Sequence, residues 1–584
     1  MRLRAAIGAF LLWLSGSPAA AALPFEQVVF SATCDVEGAP SGSRCGTLRV
    51  LEDRSRAAGR QLALRFVIVP GEGRAPDDPL VYLAGGPGES AFDAVPVVLP
   101  TLRSVENDRQ VVFLEQRGTG GSSSLQCPAG LDLIRAISDA PAVRQCAAAL
   151  RTKADLNHYT SSDAAADLED LRAAMRYRQI NLVAVSYGVR VALLYMRQHP
   201  RRVRTAVLRA AYPLDYNIIS AGAHAADAQL ALVIDECTRD PACRQAYPGL
   251  PDQLLALDRQ LAAAPATSAT GEARSGGGQA TVTRDLFHYL LLAMMQASVS
   301  RQYIPMVIAT AASRGLQPFS SQLAQLQTSL KRFPVGLYLS VLCSEDAPRQ
   351  HDYRPARTPL ATAAQKLLAA CSNWPVRPAS DRALEPFTSD VPTLIVSGAL
   401  DPVTPAESAE RLAGSLPNSR HLIIPATGHG PMFPECMRPG VTGFIRTSVI
   451  PSSLDACSAL TLPAFAVPAV EVPAQAPQSE PAVQLSGTWD LQWQTRRGPS
   501  PGGYLVISQN GRELTAQLHG RGSIQASGSI EGNGFILRGS RLFVPYTLTG
   551  TMSADRIEGT LKVMSVERQF TGQRRTTPSG AAGS

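Results

Sequence analysis

The chain has 584 residues, 45% of them hydrophobic and 18% charged, a balance that excludes a disordered or low-complexity protein and exceeds what one ordinary domain needs for its core. Its formal charge of +7 comes from basic residues scattered along the whole length, so no nucleic-acid partner is expected.

Residues 1–22 read as a signal peptide: Met1-Arg2-Leu3-Arg4, an apolar stretch over 5–14, and Ala20-Ala21-Ala22 before a cleavage point. Cleavage would remove Arg2 and Arg4 and lower the charge to +5. No later segment holds about 18 uncharged apolar residues, so no stable membrane span is expected. The mature protein is expected to be exported, to a periplasm or the extracellular space. Ten cysteines, an even number in an exported chain, point to disulfides and away from metal ligation. They fall into the neighbour pairs 34–45, 127–146, 237–243, 343–371 and 436–457, although sequence leaves the connectivity open. No CxxC or His-x-x-x-His accompanies them, so neither a metal nor another cofactor is expected.

From 23 to 211, short apolar runs at 62–69, 80–83, 111–114, 181–185 and 205–208 alternate with helical segments. Residues 162–177 place Ala166, Leu168, Leu171 and Met175 at helical spacing after a Ser161 or Ser162 cap. This rhythm predicts an α/β fold with a mostly parallel sheet covered by helices on both faces. Over 212–340 the strand signals nearly vanish. Amphipathic segments at 225–236, 252–263, 284–297 and 320–331 predict a helical cap inserted over the core. The α/β rhythm resumes over 341–460, with strands at 392–396 and 421–424. Prolines 463, 468, 473, 477 and 481 make 461–484 an extended linker. Beyond it, 485–578 shows short alternating runs at 504–507, 513–518, 535–537, 546–551 and 557–563, with turns at Asn510-Gly511 and 531–534. These predict a separate small antiparallel β domain, barrel or sandwich, with Trp489 and Trp493 in its core.

The chemistry centres on Leu182-Val183-Ala184-Val185-Ser186-Tyr187-Gly188, an apolar run turning abruptly into a helix-like stretch. A serine hydroxyl needs an adjacent base, and a strand-to-helix elbow exposes its oxygen to one. The usual elbow is Gly-x-Ser-x-Gly; Ala184 stands at its first glycine. Downstream, Asp401 follows a strand in Gly398-Ala399-Leu400-Asp401-Pro402-Val403-Thr404-Pro405, and His429 follows another in Gly428-His429-Gly430. Serine, aspartate, histidine in that order is the α/β-hydrolase order, making Ser186, Asp401 and His429 the candidate triad. Upstream, Ala84-Gly85-Gly86-Pro87-Gly88 can bring backbone N–H groups to a substrate carbonyl, so the N–H of Gly86 and of Tyr187 are the candidate oxyanion hole. Glu115 and Arg117, in Glu115-Gln116-Arg117-Gly118-Thr119-Gly120, read as ion-pair residues shaping the site.

These motifs resemble the prolyl aminopeptidase and tripeptidyl aminopeptidase family of α/β-hydrolases over roughly 40–450. Where that family commonly has Asp and Gly, this chain has Glu115 and Ala184. The resemblance implies a serine exopeptidase acting on peptides with a free N-terminus. Such an enzyme must hold a substrate ammonium, and a buried cation requires a carboxylate. Glu345 and Asp346, where the cap returns to the core, are the candidates, with Asp235 and Glu236 behind them. The triad alone would equally serve an esterase or amidase on small non-peptide substrates. A third reading is a non-catalytic envelope-associated binding protein, with the β domain contacting the envelope or a glycan.

Overall fold

The computed structural model describes residues 27–71, 77–102, 109–128, 131–269, 279–349, 361–430, 433–467, 483–495, 498–519, 523–541, 544–563 and 566–575. The expected signal peptide and most of the expected linker lie outside them.

Nine strands form one sheet in the order β1-β2-β3-β5-β4-β6-β7-β10-β11. They are β1 (Val28–Phe30), β2 (Arg44–Leu51), β3 (Gln61–Val69), β4 (Leu80–Leu83), β5 (Val111–Leu114), β6 (Ile180–Val185), β7 (Val203–Arg209), β10 (Thr393–Gly398) and β11 (Ser419–Ile424). The six from β5 to β11 run parallel, whereas β1, β2 and β3 pair antiparallel along one side. The central strands are apolar throughout because both faces are covered. Alternate residues serve opposite faces: Val81, Leu83, Leu182, Ala184 and Leu208 pack into one core. Tyr82, Val183, Val185, Val207 and Val396 pack into the other. Helices Ser161–Ala174 and Tyr187–Gln198 cover the first face, and Ala91–Val98 and Arg438–Thr447 contribute to the second. The first of these begins on Thr160, not on Ser161 or Ser162, because Thr160 and Asp163 exchange hydrogen bonds in a capping box.

Between β7 and β10 the chain forms helices Ile218–Arg239, Leu250–Ala263, Arg284–Gln296, Ile304–Arg314, Ser320–Arg332 and Val335–Glu345. A two-stranded element, β8 (Ala266–Ala269) with β9 (Gln279–Val282), interrupts them; its short polar strands carry little sequence signal. Five disulfides join Cys34–Cys45, Cys127–Cys146, Cys237–Cys243, Cys343–Cys371 and Cys436–Cys457, matching the neighbour pairing.

Strands β12 to β19, spanning Gly487 to Arg574, close into an eight-stranded antiparallel barrel in sequential order. Trp489, Leu505, Leu514, Leu537, Leu548 and Phe570 fill its core. Trp489 is fully buried, with its indole N–H donating to Leu485 O at 3.0 Å, and Trp493 meets Phe570 edge-on. The expected choice between barrel and sandwich resolves to a barrel. Among the described residues, no helix is long and apolar enough to cross a membrane.

Candidate active site

Ser186 sits between the C-terminal end of β6 and the helix Tyr187–Gln198, with φ +52° and ψ −122°. A non-glycine residue there costs about 1–3 kcal/mol and persists only because its surroundings hold it. The Ser186 N–H donates to Arg209 O on the neighbouring strand at 3.0 Å. Two residues on, a Cβ on Gly188 would lie 2.4 Å from Leu83 O and 2.8 Å from Ala84 O, so only glycine lets the helix meet the end of β4. Ala184, by contrast, is an ordinary buried strand residue of β6, paired with Leu83 and Leu208. That is why the elbow tolerates a methyl at its first small position.

The loops after β10 and β11 bring Asp401 and His429 to this serine. His429 Nε2 lies 2.9 Å from Ser186 Oγ. Its Nδ1 lies 2.8 and 2.9 Å from the two Asp401 oxygens. A carboxylate only accepts, so Nδ1 carries the proton and Nε2 is left to accept from the serine hydroxyl. Asp401 also accepts from the Val403 and Thr404 N–H groups, both at 2.8 Å, and from the Thr404 hydroxyl at 2.9 Å. Burial by itself would push this carboxyl up. The facing His429 and these hydrogen bonds outweigh burial and hold it below the usual carboxylate range.

On the other side of the serine, the turn after β4 presses against it. A Cβ on Gly85 would lie 3.2 Å from Ser186 Cβ. Gly86 adopts φ +107° before a cis Gly86–Pro87 bond, and Gln116 Nε2 donates to Ala84 O at 2.9 Å. Gly86 and Tyr187, the two expected oxyanion donors, therefore belong to segments that both abut the nucleophile. Arg117 is buried and ion-paired to Asp167 through Nε at 2.7 Å and Nη2 at 2.6 Å. Among the described residues Glu115 makes no such pair. It accepts from the Ser90 hydroxyl at 2.6 Å and the Gly121 N–H at 2.9 Å, and burial pushes its carboxyl up.

Residues 78–235 match the family model described as the alpha/beta hydrolase fold, and residues 358–457 match that of TAP-like proteins. The chain has the α/β-hydrolase fold. It is 24% identical over 470 residues to serine protease Hip1 of Mycobacterium tuberculosis (strain ATCC 25618 / H37Rv), covering 72% of this chain and 88% of that protein. With tripeptidyl aminopeptidase of Streptomyces coelicolor it shares 26% identity over 189 residues, 29% of this chain and 35% of that one. Among solved structures it is similar to the proline iminopeptidase-related protein from Thermus thermophilus, at 17% identity over 68% of this chain and 96% of that one, with a TM-score of 0.30.

Within this α/β-hydrolase, Glu345 and Asp346 do not meet the expectation that they are open to a substrate amine. Glu345 is 2% exposed and Asp346 fully buried. Both are paired with Arg190 of the helix that follows Ser186: Asp346 through Nη1 at 2.7 Å and Nη2 at 3.0 Å, Glu345 through Nη1 at 3.1 Å. Glu345 also accepts from the Ser161 N–H at 2.6 Å and hydroxyl at 2.7 Å, and Asp346 from the Ile218 N–H at 3.1 Å. Their charge is already matched inside the protein. Asp235 and Glu236 are likewise engaged, with Arg239 and Arg301.

Two residues near the triad escaped the sequence reading. Thr404 braces Asp401, and the spacing Asp401-x-x-Thr404 was the available signal. Arg209, ending the apolar β7, is buried and donates to Gly428 O at 2.9 Å, fixing the residue before His429. Burial draws its guanidinium below the ordinary range, with the Asp401 charge opposing. Among the described residues no His, Cys, Asp and Glu cluster is disposed to hold a metal ion.

Proposed function

We propose that the protein is an exported serine exopeptidase that releases residues or short peptides from peptide N-termini. The observation that carries this is His429 bridging Ser186 Oγ at 2.9 Å and Asp401 at 2.8 Å. His429 takes the serine proton as Oγ attacks the scissile carbonyl, and Asp401 stabilises the resulting imidazolium. The N–H groups of Gly86 and Tyr187 receive the developing oxyanion. His429 then protonates the leaving amine, and water, deprotonated by the same histidine, releases the acyl group from Ser186.

The peptide substrate rests on the relatives named serine protease and tripeptidyl aminopeptidase, together with the Gly-Gly-Pro-Gly and Gln-Arg-Gly motifs. Export rests on the N-terminal pattern of residues 1–22 and on the pairing of all ten cysteines. Chromogenic peptide amides with free and blocked N-termini test the reading, with fluorophosphonate labelling of Ser186 as the check on the nucleophile. Amine release only from the free-N-terminal series is expected. Turnover of short-chain esters without any peptide amide would instead make the protein an esterase, and absence of labelling would make it a binder.

A further inference from the structure

The carboxylates of Asp401, Glu345, Asp346 and Glu115, all close to the elbow or its flanking turns, are buried and engaged by protein donors. Glu89 is different. It follows Gly85-Gly86-Pro87-Gly88, and its N–H donates to Gly85 O at 3.4 Å, closing a turn that brings its side chain back over Gly85. A Cβ on Gly85 would lie 3.0 Å from Glu89 Oε2 and 3.2 Å from Ser186 Cβ, so the carboxylate and the nucleophile flank a single point.

The Glu89 charge is felt by His429, by Tyr82 of β4 and by Tyr289 on the cap helix Arg284–Gln296. Glu89 lines the same recess as Phe333 and Pro334 of the cap, between the turn after β4 and those residues. Its side chain is exposed, lining a recess of about 720 Å³ shared with Tyr82, Phe92, Phe333 and Pro334. Among the described residues it forms no ion pair. The surrounding walls push its carboxyl above the usual range, against the pull of His429 and the Gly85 amide. Arg65 and Arg332 also line the recess but neither is ion-paired with Glu89 among the described residues, so the carboxylate is open to a ligand that brings a cation.

We propose that Glu89 receives the N-terminal ammonium of the peptide whose acyl carbon is attacked by Ser186. This deepens, and rests on, the exopeptidase reading above. Each further residue between the scissile carbonyl and the free amine moves the ammonium about 3.3–3.6 Å away. With Glu89 Oε2 and Ser186 Cβ so close to one point, the acyl portion is one or two residues long.

The test measures kcat and KM of the wild type, Glu89→Gln and Glu89→Asp on p-nitroanilides of one-, two- and three-residue peptides, free and N-acetylated, and on p-nitrophenyl butyrate, which has no amine. Fluorophosphonate labelling of Ser186 verifies that each variant is folded; should Glu89→Gln fail to label, Glu89→Asp carries the comparison. The wild type is expected to favour free one- or two-residue substrates. In Glu89→Gln the ratio of kcat/KM for the free peptide over the ester should fall roughly 10- to 100-fold, mostly through KM, as for loss of one charged hydrogen bond, with Glu89→Asp intermediate. An equal loss on ester and free peptide, or none on either, overturns the assignment of Glu89 while leaving the exopeptidase reading intact. Wild-type preference for three residues overturns the length. Equal wild-type cleavage of acetylated and free peptides overturns both readings.

Discussion

Two buried acidic sites, Asp401 and the Glu345–Asp346 pair, solve one physical problem differently. At Asp401, burial raises the carboxyl but is outweighed by the histidine and three donors, so the acid stays ionised below its ordinary range. At Glu345, burial is again the largest influence and it prevails: the carboxyl is pushed up despite Arg190 and Ser161. Depth and charge are alike at the two places. The partner differs. Arg190 is permanently charged and its Nη groups donate to Glu345, Asp346 and Tyr216 O, whereas His429 gains and loses a proton and reaches Ser186 Oγ. Of these two acids, only Asp401 has a partner that can change charge and reach Ser186 Oγ.

This contrast can be broken from either side. The largest effect is expected from Ser186→Ala or His429→Ala, which should lower kcat by about 10⁴-fold or more while thermal unfolding shifts little. Arg190→Met should do the reverse. It strands Glu345 and Asp346 without their cation, so urea unfolding should show a loss of about 3–5 kcal/mol, with the folded fraction keeping far more activity than His429→Ala. A large loss of kcat in folded Arg190→Met would mean that the two sites are not separate. Gly188→Ala forces a methyl against Leu83 O and should cost about 1–3 kcal/mol in the same denaturation assay, together with a drop in kcat from displacement of the elbow. The smallest effect belongs to Ala184→Gly, which restores the common elbow residue: at most about 1 kcal/mol of stability lost to backbone freedom, read from the urea midpoint, and little change in kcat.

The parallel strands were legible because a strand covered on both faces is a short unbroken apolar run: 80–83 and 111–114 coincide with β4 and β5. The candidate triad was legible because Ser186, Asp401 and His429 each follow such a strand in the expected order, and the fold brings them within hydrogen-bond reach. The cysteines paired as neighbours because each bridge closes a loop within one local segment. The fate of Glu345 and Asp346 was hidden, since their partner Arg190 lies about 155 residues away and only the fold brings them together. Strands β15 (Ser523–Glu531) and β19 (Val566–Arg574) also gave little signal: small and polar residues dominate both, with few large apolar ones. Glu89 was overlooked because it stood directly after a glycine motif that already had a role.

The contact between Gly188 and the carbonyls of Leu83 and Ala84 has a consequence for how this chain can vary. Main chain meets main chain, with no side chain interposed, so the spacing between the serine and the turn after β4 does not depend on rotamers or residue volumes elsewhere. Substitutions that repack either core can therefore accumulate without altering that spacing, whereas any side chain at position 188 would have to displace it.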